Sequence, residues 1–162
     1  MIKVNITQEM IEKAKARDHG AYNSMSFQKG AGNVIGFLGE YMVEAVCPYL
    51  TLVDEYDHDF ECNGTTIDVK TKQQNVPYEP KGYYEASVTV ESLQFQHPDY
   101  YIFCRVHKDL KYGWVLGAIS YDQLMKIGKR MVKGQDEGNM VFKSDSINVQ
   151  YDQLTQLKYW IK

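Results

Sequence analysis

Cysteine is scarce in this chain, and the three present, Cys47, Cys62 and Cys104, are odd in number, widely spaced and never in a CxxC pair. A disulfide framework and a zinc knuckle are thereby excluded, and a reducing cytoplasm is the expected compartment. No apolar run approaches the roughly 20 residues that a bilayer crossing needs, and the opening MIKVNITQEM lacks a basic stretch followed by an apolar core. The expectation is a protein with no membrane partner and no export signal. Basic excess is missing too: the net charge is −3. Nucleic-acid binding by bulk attraction is excluded on that ground, so any such contact must rest on local charge. Repeats, linkers and low-complexity tracts are also absent.

What remains is a chain of 162 residues, 44% hydrophobic and rich in tyrosine, enough for one domain over 1–162 with a core of its own. Thr7 can cap a helix that runs to Asp18, and residues 19 to 32 read as a loop. A second helix is expected from Asn33 to the Pro48 stop, with Ile35, Leu38, Met42 and Ala45 facing the core. On another stripe of it, Asn33, Gly36, Glu40 and Glu44 put two carboxylates on a face that glycine keeps narrow. Strands are expected over 56–62, 65–72, 99–107 and 113–119. Between the second and third lies a strand followed by a short helix from Val90 to Gln96 that Pro98 ends. Helices over Tyr121–Met131 and Tyr151–Trp160, around a polar loop at 134–138, would make residues 120–162 a helical elaboration on a core of about 33–119. The fold class is α/β or α+β, with a central mixed sheet flanked by helices.

The chemistry concentrates in the second pair of strands. Asn63-Gly64 is the dipeptide that a two-residue type I′ turn prefers. With that turn, Cys62 pairs with Thr65, Phe60 with Ile67, Asp59 with Asp68 and Asp57 with Lys70. Two aspartates directly opposed across a hairpin repel unless something neutralises them, and a divalent cation does so. By the period of two, Lys70 shares the face of Asp68, while Phe60, Cys62, Ile67 and Val69 point the other way. Two carboxylates with water suit Mg²⁺ or Mn²⁺, and a neighbouring lysine can serve an attacking water. A solvated hairpin face of mixed charge is the bland alternative.

The stretch HDF-ECNG-TTIDVKTK resembles the core of the PD-(D/E)XK nucleases, whose signature is an acidic residue, a spacer and then (D/E)-x-K. Asp59 matches the first acid, and Asp68-Val69-Lys70 matches the second part. The signature proline is replaced by His58, which leaves Asp57 as a rival first acid. The helix GFLGEYMVEAV resembles the one that contributes a metal-site glutamate in that superfamily, at Glu40, with Glu44 as a substitute. The resemblance implies a restriction-endonuclease-like core and Mg²⁺- or Mn²⁺-dependent hydrolysis of DNA, single- or double-stranded, with endonuclease action expected. It also implies a metal site of Asp59, Asp68, Glu40 and the Val69 backbone carbonyl, with Lys70 catalytic. Small members often dimerise, so a homodimer is a candidate assembly, and the size resembles accessory nucleases of bacteria or of phage in an infected host.

Around this centre, Lys72 and Lys81 are candidate phosphate contacts, and Tyr83 and Tyr84, with Tyr78, are candidate stacking platforms for bases. Lys126, Lys129, Arg130 and Lys133 form a second basic cluster, which a solvated helix face explains equally well. KGAGNVIG offers backbone N–H groups ahead of a helix. His58 is expected to point away from Asp57 and Asp59, and His19, His97 and His107 have no partners at metal-ligand spacing. Two rivals stand beside the nuclease: a catalytically inactive DNA-binding or inhibitory module of the same fold, and a protein-interaction domain that imitates DNA.

Overall fold

The computed structural model describes residues 1–18, 31–53, 57–136 and 141–157. Among these, the strands are β1 (Ile2–Asn5), β2 (Thr51–Leu52), β3 (Phe60–Cys62), β4 (Thr65–Gln74), β5 (Glu85–Thr89), β6 (Tyr100–His107), β7 (Tyr112–Ser120), β8 (Lys129–Met131) and β9 (Ser146–Gln150). The helices are α1 (Gln8–Asp18), α2 (Ala31–Val46), α3 (Val90–Phe95) and α4 (Tyr121–Ile127). Six strands form a mixed sheet in the order β1-β7-β6-β4-β3-β2, and three form a small sheet in the order β5-β9-β8. The architecture is α+β. No described helix is long and apolar enough to cross a membrane.

Local signals set several boundaries. Thr7 Oγ1 accepts from the Met10 N–H at 3.2 Å and starts α1. Thr89 and Ser120 do the same for α3 and α4. Asn63 and Gly64 both take positive φ, 51° and 76°, which is the type I′ turn, and the β3–β4 register follows from it: Phe60 faces Ile67 and Cys62 faces Thr65. On its other side β4 runs parallel to β6, with Asp68 beside Tyr101, Lys70 beside Phe103 and Lys72 beside Arg105.

Both faces of the main sheet are covered. Ile67 and Val69 pack with Phe60 and with Leu38, Met42 and Val43 of α2 in one core. On the opposite face Tyr101, Phe103, Trp114 and Leu116 pack against Ala86, Val88, Ile147 and Val149 of the small sheet. The alternation of β4 therefore sends Asp68 and Lys70 toward a second core and not toward open water.

Several expectations are corrected. Of the strand expected over 56–62, only Phe60–Cys62 is paired among the described residues. The helix from Tyr121 stops at Ile127 and is capped by Gly128, where only glycine fits because an added Cβ would lie 2.3 Å from Ile147 Cγ2, and Lys129–Met131 pairs with β9. The basic cluster is thus split between α4 and β8. Instead of a helix from Tyr151 there is a 3-10 turn over Tyr151–Gln153, after which Thr155 exchanges backbone hydrogen bonds with Ala118. Sheet pairing overrides helical spacing there, and 158–162 lie outside the described residues. In α2, Ala45 is exposed, and Val43 and Cys47 join Leu38 and Met42 in the core. The strands β1, β2, β8 and β9 were not foreseen from periodicity.

The narrow face of α2 is made by Gly39 and not by Gly36. A Cβ on Gly39 would stand 1.8 Å from Thr71 Oγ1 and 2.9 Å from Thr71 Cβ, whereas one on Gly36 would meet nothing within 4 Å. Gly36→Ala should stabilise the protein by about 0.5–1 kcal/mol through helix propensity. Gly39→Ala should destabilise it by about 1–3 kcal/mol through overpacking, and adding Thr71→Ala should recover part of that loss. Urea unfolding of the four chains measures these differences.

Candidate active site

The β3 ladder ends at Phe60, and Asp59 departs from the register expected of it. Its N–H donates to the Ile67 carbonyl at 2.9 Å, and its Oδ2 accepts from the Val69 N–H at 2.7 Å. The carboxylate thus stands in for the missing strand partner, at the edge of β4 and not directly opposite Asp68. In a strand the N–H and C=O of one residue face the same side, so the Val69 carbonyl also faces this edge. The expected ladder pair of Asp59 with Asp68 is thus replaced by a contact of Asp59 with the Val69 backbone at the edge of β4.

Asp68 is only 4% exposed, so the solvated-face alternative does not describe it. Its Oδ2 lies 2.8 Å from Lys70 Nζ as an ion pair, but that oxygen has no hydrogen-bond partner among the described residues. Lys70 Nζ also donates to Gln96 Oε1 at 3.2 Å, where Gln96 closes α3. Glu40 is 6% exposed on α2 and is held by Arg17 of α1. The Arg17 guanidinium stacks over Phe37, 4.1 Å from the ring centre.

Charge joins these acids. The Asp59 carboxyl is held well above the usual range, first by burial, then by the negative charges of Asp68 and Glu40, while the Val69 N–H and Lys70 oppose the shift. Asp59, Asp68, Lys70 and Glu40 therefore form one electrostatic group. Their oxygens are the hard donors that Mg²⁺ or Mn²⁺ takes, and the unbonded Asp68 Oδ2 suits such an ion. Among the described residues, however, no three His, Cys, Asp or Glu side chains form a ready metal cage. Asp59 and Asp68 fit a metal that keeps most of its waters; Glu40 fits only after release from Arg17.

The rival acids stand elsewhere. Glu44 is exposed on α2 and its field reaches Lys13. Asp57 does not oppose Lys70; its Oδ1 lies 3.0 Å from His58 Nδ1, and Glu61 Oε1 lies 3.0 Å from His58 Nε2. His58 therefore joins Asp57 rather than pointing away from it, because residues 57–59 are not extended strand. Burial is the largest single influence and lowers its pKa, but the hydrogen bonds and charges of Glu61 and Asp57 together outweigh it, so the pKa is raised. Lys72 lines a cleft together with Lys70. Lys81, Tyr83 and Tyr84 form their own group, with Lys81 Nζ 5.7 Å from the Tyr83 ring centre and the two tyrosines edge to face. Tyr83 is exposed, and Tyr84 packs against the second core. Among the described residues no hydrogen bond or ion pair ties them to the acids. Of KGAGNVIG, Lys29 and Gly30 lie outside the described residues.

Sequence reasoning missed Arg17, Gln96 and Arg105. Arg105 follows Tyr101 and Phe103 at strand spacing, but its place beside Lys72 depends on a parallel register that no local signal sets. The sequence matches no family model and no curated protein closely enough to give a relative.

A carboxyl raised by folding lowers stability above its folded pKa, and this penalty vanishes as pH falls below the ordinary value of 3.8. Asn at position 59 keeps an oxygen for the Val69 N–H and removes the charge. Asp59→Asn should therefore raise the Tm of the metal-free protein at pH 7, by about 2–4 °C for each kcal/mol of repulsion relieved, and the two melting curves should converge as the pH approaches 4. A mutant that melts below wild type at pH 7 would contradict the charge argument.

Proposed function

We propose that the chain is a metal-dependent nuclease of the PD-(D/E)XK kind, hydrolysing phosphodiester bonds of DNA. The observation that carries this reading is the burial of Asp68, whose Oδ2 pairs with Lys70 but has no hydrogen-bond partner among the described residues, beside an Asp59 whose ionisation Asp68 itself opposes. A purely structural hairpin gains nothing from two mutually repelling, desolvated carboxylates. Asp59 and Asp68 would hold a divalent cation, with Glu40 able to join them if released from Arg17, and the repulsion between the acids would then become affinity for the ion.

When bound, Mg²⁺ or Mn²⁺ supplies a lowered pKa for water and polarisation of the phosphoryl oxygen. The protein's part lies in Lys70. Pinned between Asp68 and Gln96, its ammonium is placed to orient an attacking water and to meet charge that builds on the phosphoryl group. Asp59, anchored by the Val69 N–H, keeps its position without a strand partner. The covered second face of the sheet limits water around Asp68, which strengthens each of these interactions.

One observation favours a second reading. Glu40 is already neutralised by Arg17, and no ready three-ligand cage exists among the described residues. A module of the same fold that binds DNA without cutting it would keep such an arrangement.

The deciding assay offers circular single-stranded and supercoiled duplex DNA, with linear and junction DNA as further substrates, in Mg²⁺, Mn²⁺ or EDTA. Metal-dependent cutting should fall by about 10²–10³ or more in Lys70→Ala and Asp68→Ala, with the fold retained by circular dichroism. Mn²⁺ should raise the Tm of wild type and not of Asp68→Ala. Wild-type turnover in either variant removes the assignment of the site; binding without cutting of any form moves the conclusion to the second reading.

A further inference from the structure

Between the two sheets, on the face of β4 that carries Asp68, lies a cleft of about 130 Å³. Lys70, Lys72 and Arg105 line it from the main sheet, and Ser87 and Tyr151 from the other side. The volume is below the roughly 300–1,000 Å³ of pockets that enclose a drug-sized molecule, so it suits an oxyanion better than a nucleoside. Three cations converge on it. Lys70 is matched by Asp68. Arg105 donates to the Tyr151 hydroxyl and to the carbonyls of Gln73 and Glu85, which fixes the guanidinium in the wall. These bonds do not cancel its charge, and part of its five-donor fork has no partner among the described residues. Lys72 has neither a hydrogen bond nor an ion pair among them.

We infer that this cleft binds a phosphate monoester through Lys72, Arg105 and the Ser87 hydroxyl, and that its source is the terminal phosphate of a nucleic-acid strand. The second half rests on the nuclease reading, since Lys70 belongs both to the cleft wall and to the proposed active centre. The small volume suits a single terminal phosphate, whose two negative charges at neutral pH match paired cations better than the single charge of a diester within a strand. The crowding of like charge points the same way. Burial and then the Arg105 charge push the Lys72 ammonium down to about 8, with Glu85 opposing. Lys72 is nevertheless an exposed side chain, so water screens much of that repulsion. A dianion between Lys72 and Arg105 turns the repulsion into two charge-assisted contacts, the fork of Arg105 being suited to phosphate.

Two arms test this. In the first, inorganic phosphate is titrated calorimetrically into wild type, Lys72→Gln and Lys72→Arg, each checked for folding by thermal melting. Wild type should bind, Lys72→Gln should weaken binding by about tenfold or more, and Lys72→Arg should restore most of it. No binding by wild type, or equal binding by Lys72→Gln, overturns the site. In the second arm, linear duplexes ending in phosphate or hydroxyl are compared as substrates. Wild type should favour one phosphorylated end by about tenfold in kcat/KM, with Lys72→Gln reducing that ratio toward one. If phosphate binds through Lys72 but end phosphorylation leaves cutting unchanged, the strand-end assignment is overturned and the ligand is a small free phosphate. If no DNA of any kind is cut, the nuclease reading and the strand-end assignment fail together, and the phosphate titration alone decides whether the cleft is an anion site.

Discussion

The hydrogen bond from the Val69 N–H to Asp59 Oδ2 is the contact on which the rest of the site depends. β3 is three residues long, and beyond it β4 has no strand partner on that side among the described residues. An unpaired, desolvated N–H costs about 1–3 kcal/mol, and the Asp59 carboxylate removes that cost. In doing so it is carried to the boundary between the face bearing Asp68 and the face on which α2 brings Glu40. One backbone donor thus gathers three negative charges, and the elevated proton affinity of Asp59 measures how much they oppose one another.

Close packing on the α2 side makes the gathering possible. Gly39 lets the helix backbone settle on Thr71, and its neighbour in sequence is Glu40. A larger residue would lift the helix and its carboxylate away from the sheet edge. Arg17, stacked on Phe37, then holds Glu40 from the other side. The site is therefore bounded by α1, α2 and β4, elements far apart in sequence, while Lys70 is fixed by Gln96 at the end of α3.

How far this was legible follows from range. Asn63-Gly64 dictated its own turn, and with it the pairing of Phe60 with Ile67 and the apolar face of the hairpin. Thr7 and Pro98 marked helix ends by side-chain chemistry that acts within a few residues. The alternation of β4 put Asp68 and Lys70 on one face, and the spacing of α2 singled out Glu40, which is buried, and Glu44, which is exposed, while the narrow neighbour was misjudged as Gly36. The same reasoning failed where distant strands decide. Nothing near Tyr151 reveals that Thr155 will pair with Ala118, nor near Lys129 that β9 will recruit it. Extending the hairpin past Phe60 assumed an unbroken ladder, so Asp57 was set against Lys70 when it turns to His58. The second sheet, which buries Asp68 and creates the cleft with Arg105, is formed wholly by such long-range pairings.

The strand pairings also impose an order in time. The β3–β4 turn closes over two residues and forms in about 1–10 μs, whereas β4 reaches its parallel partner β6 only across the crossover that holds β5 and α3. Closing so long a loop is entropically late. Asp59 and Asp68 are therefore brought near each other while Tyr101 and Gln96 are still distant and water still screens both charges. The repulsion reaches full strength only when the second sheet docks and expels that water. The turn that joins Asp59 to Asp68 thus forms ahead of the burial that charges the pair, and a partly folded chain does not yet carry the electrostatic strain of the finished one.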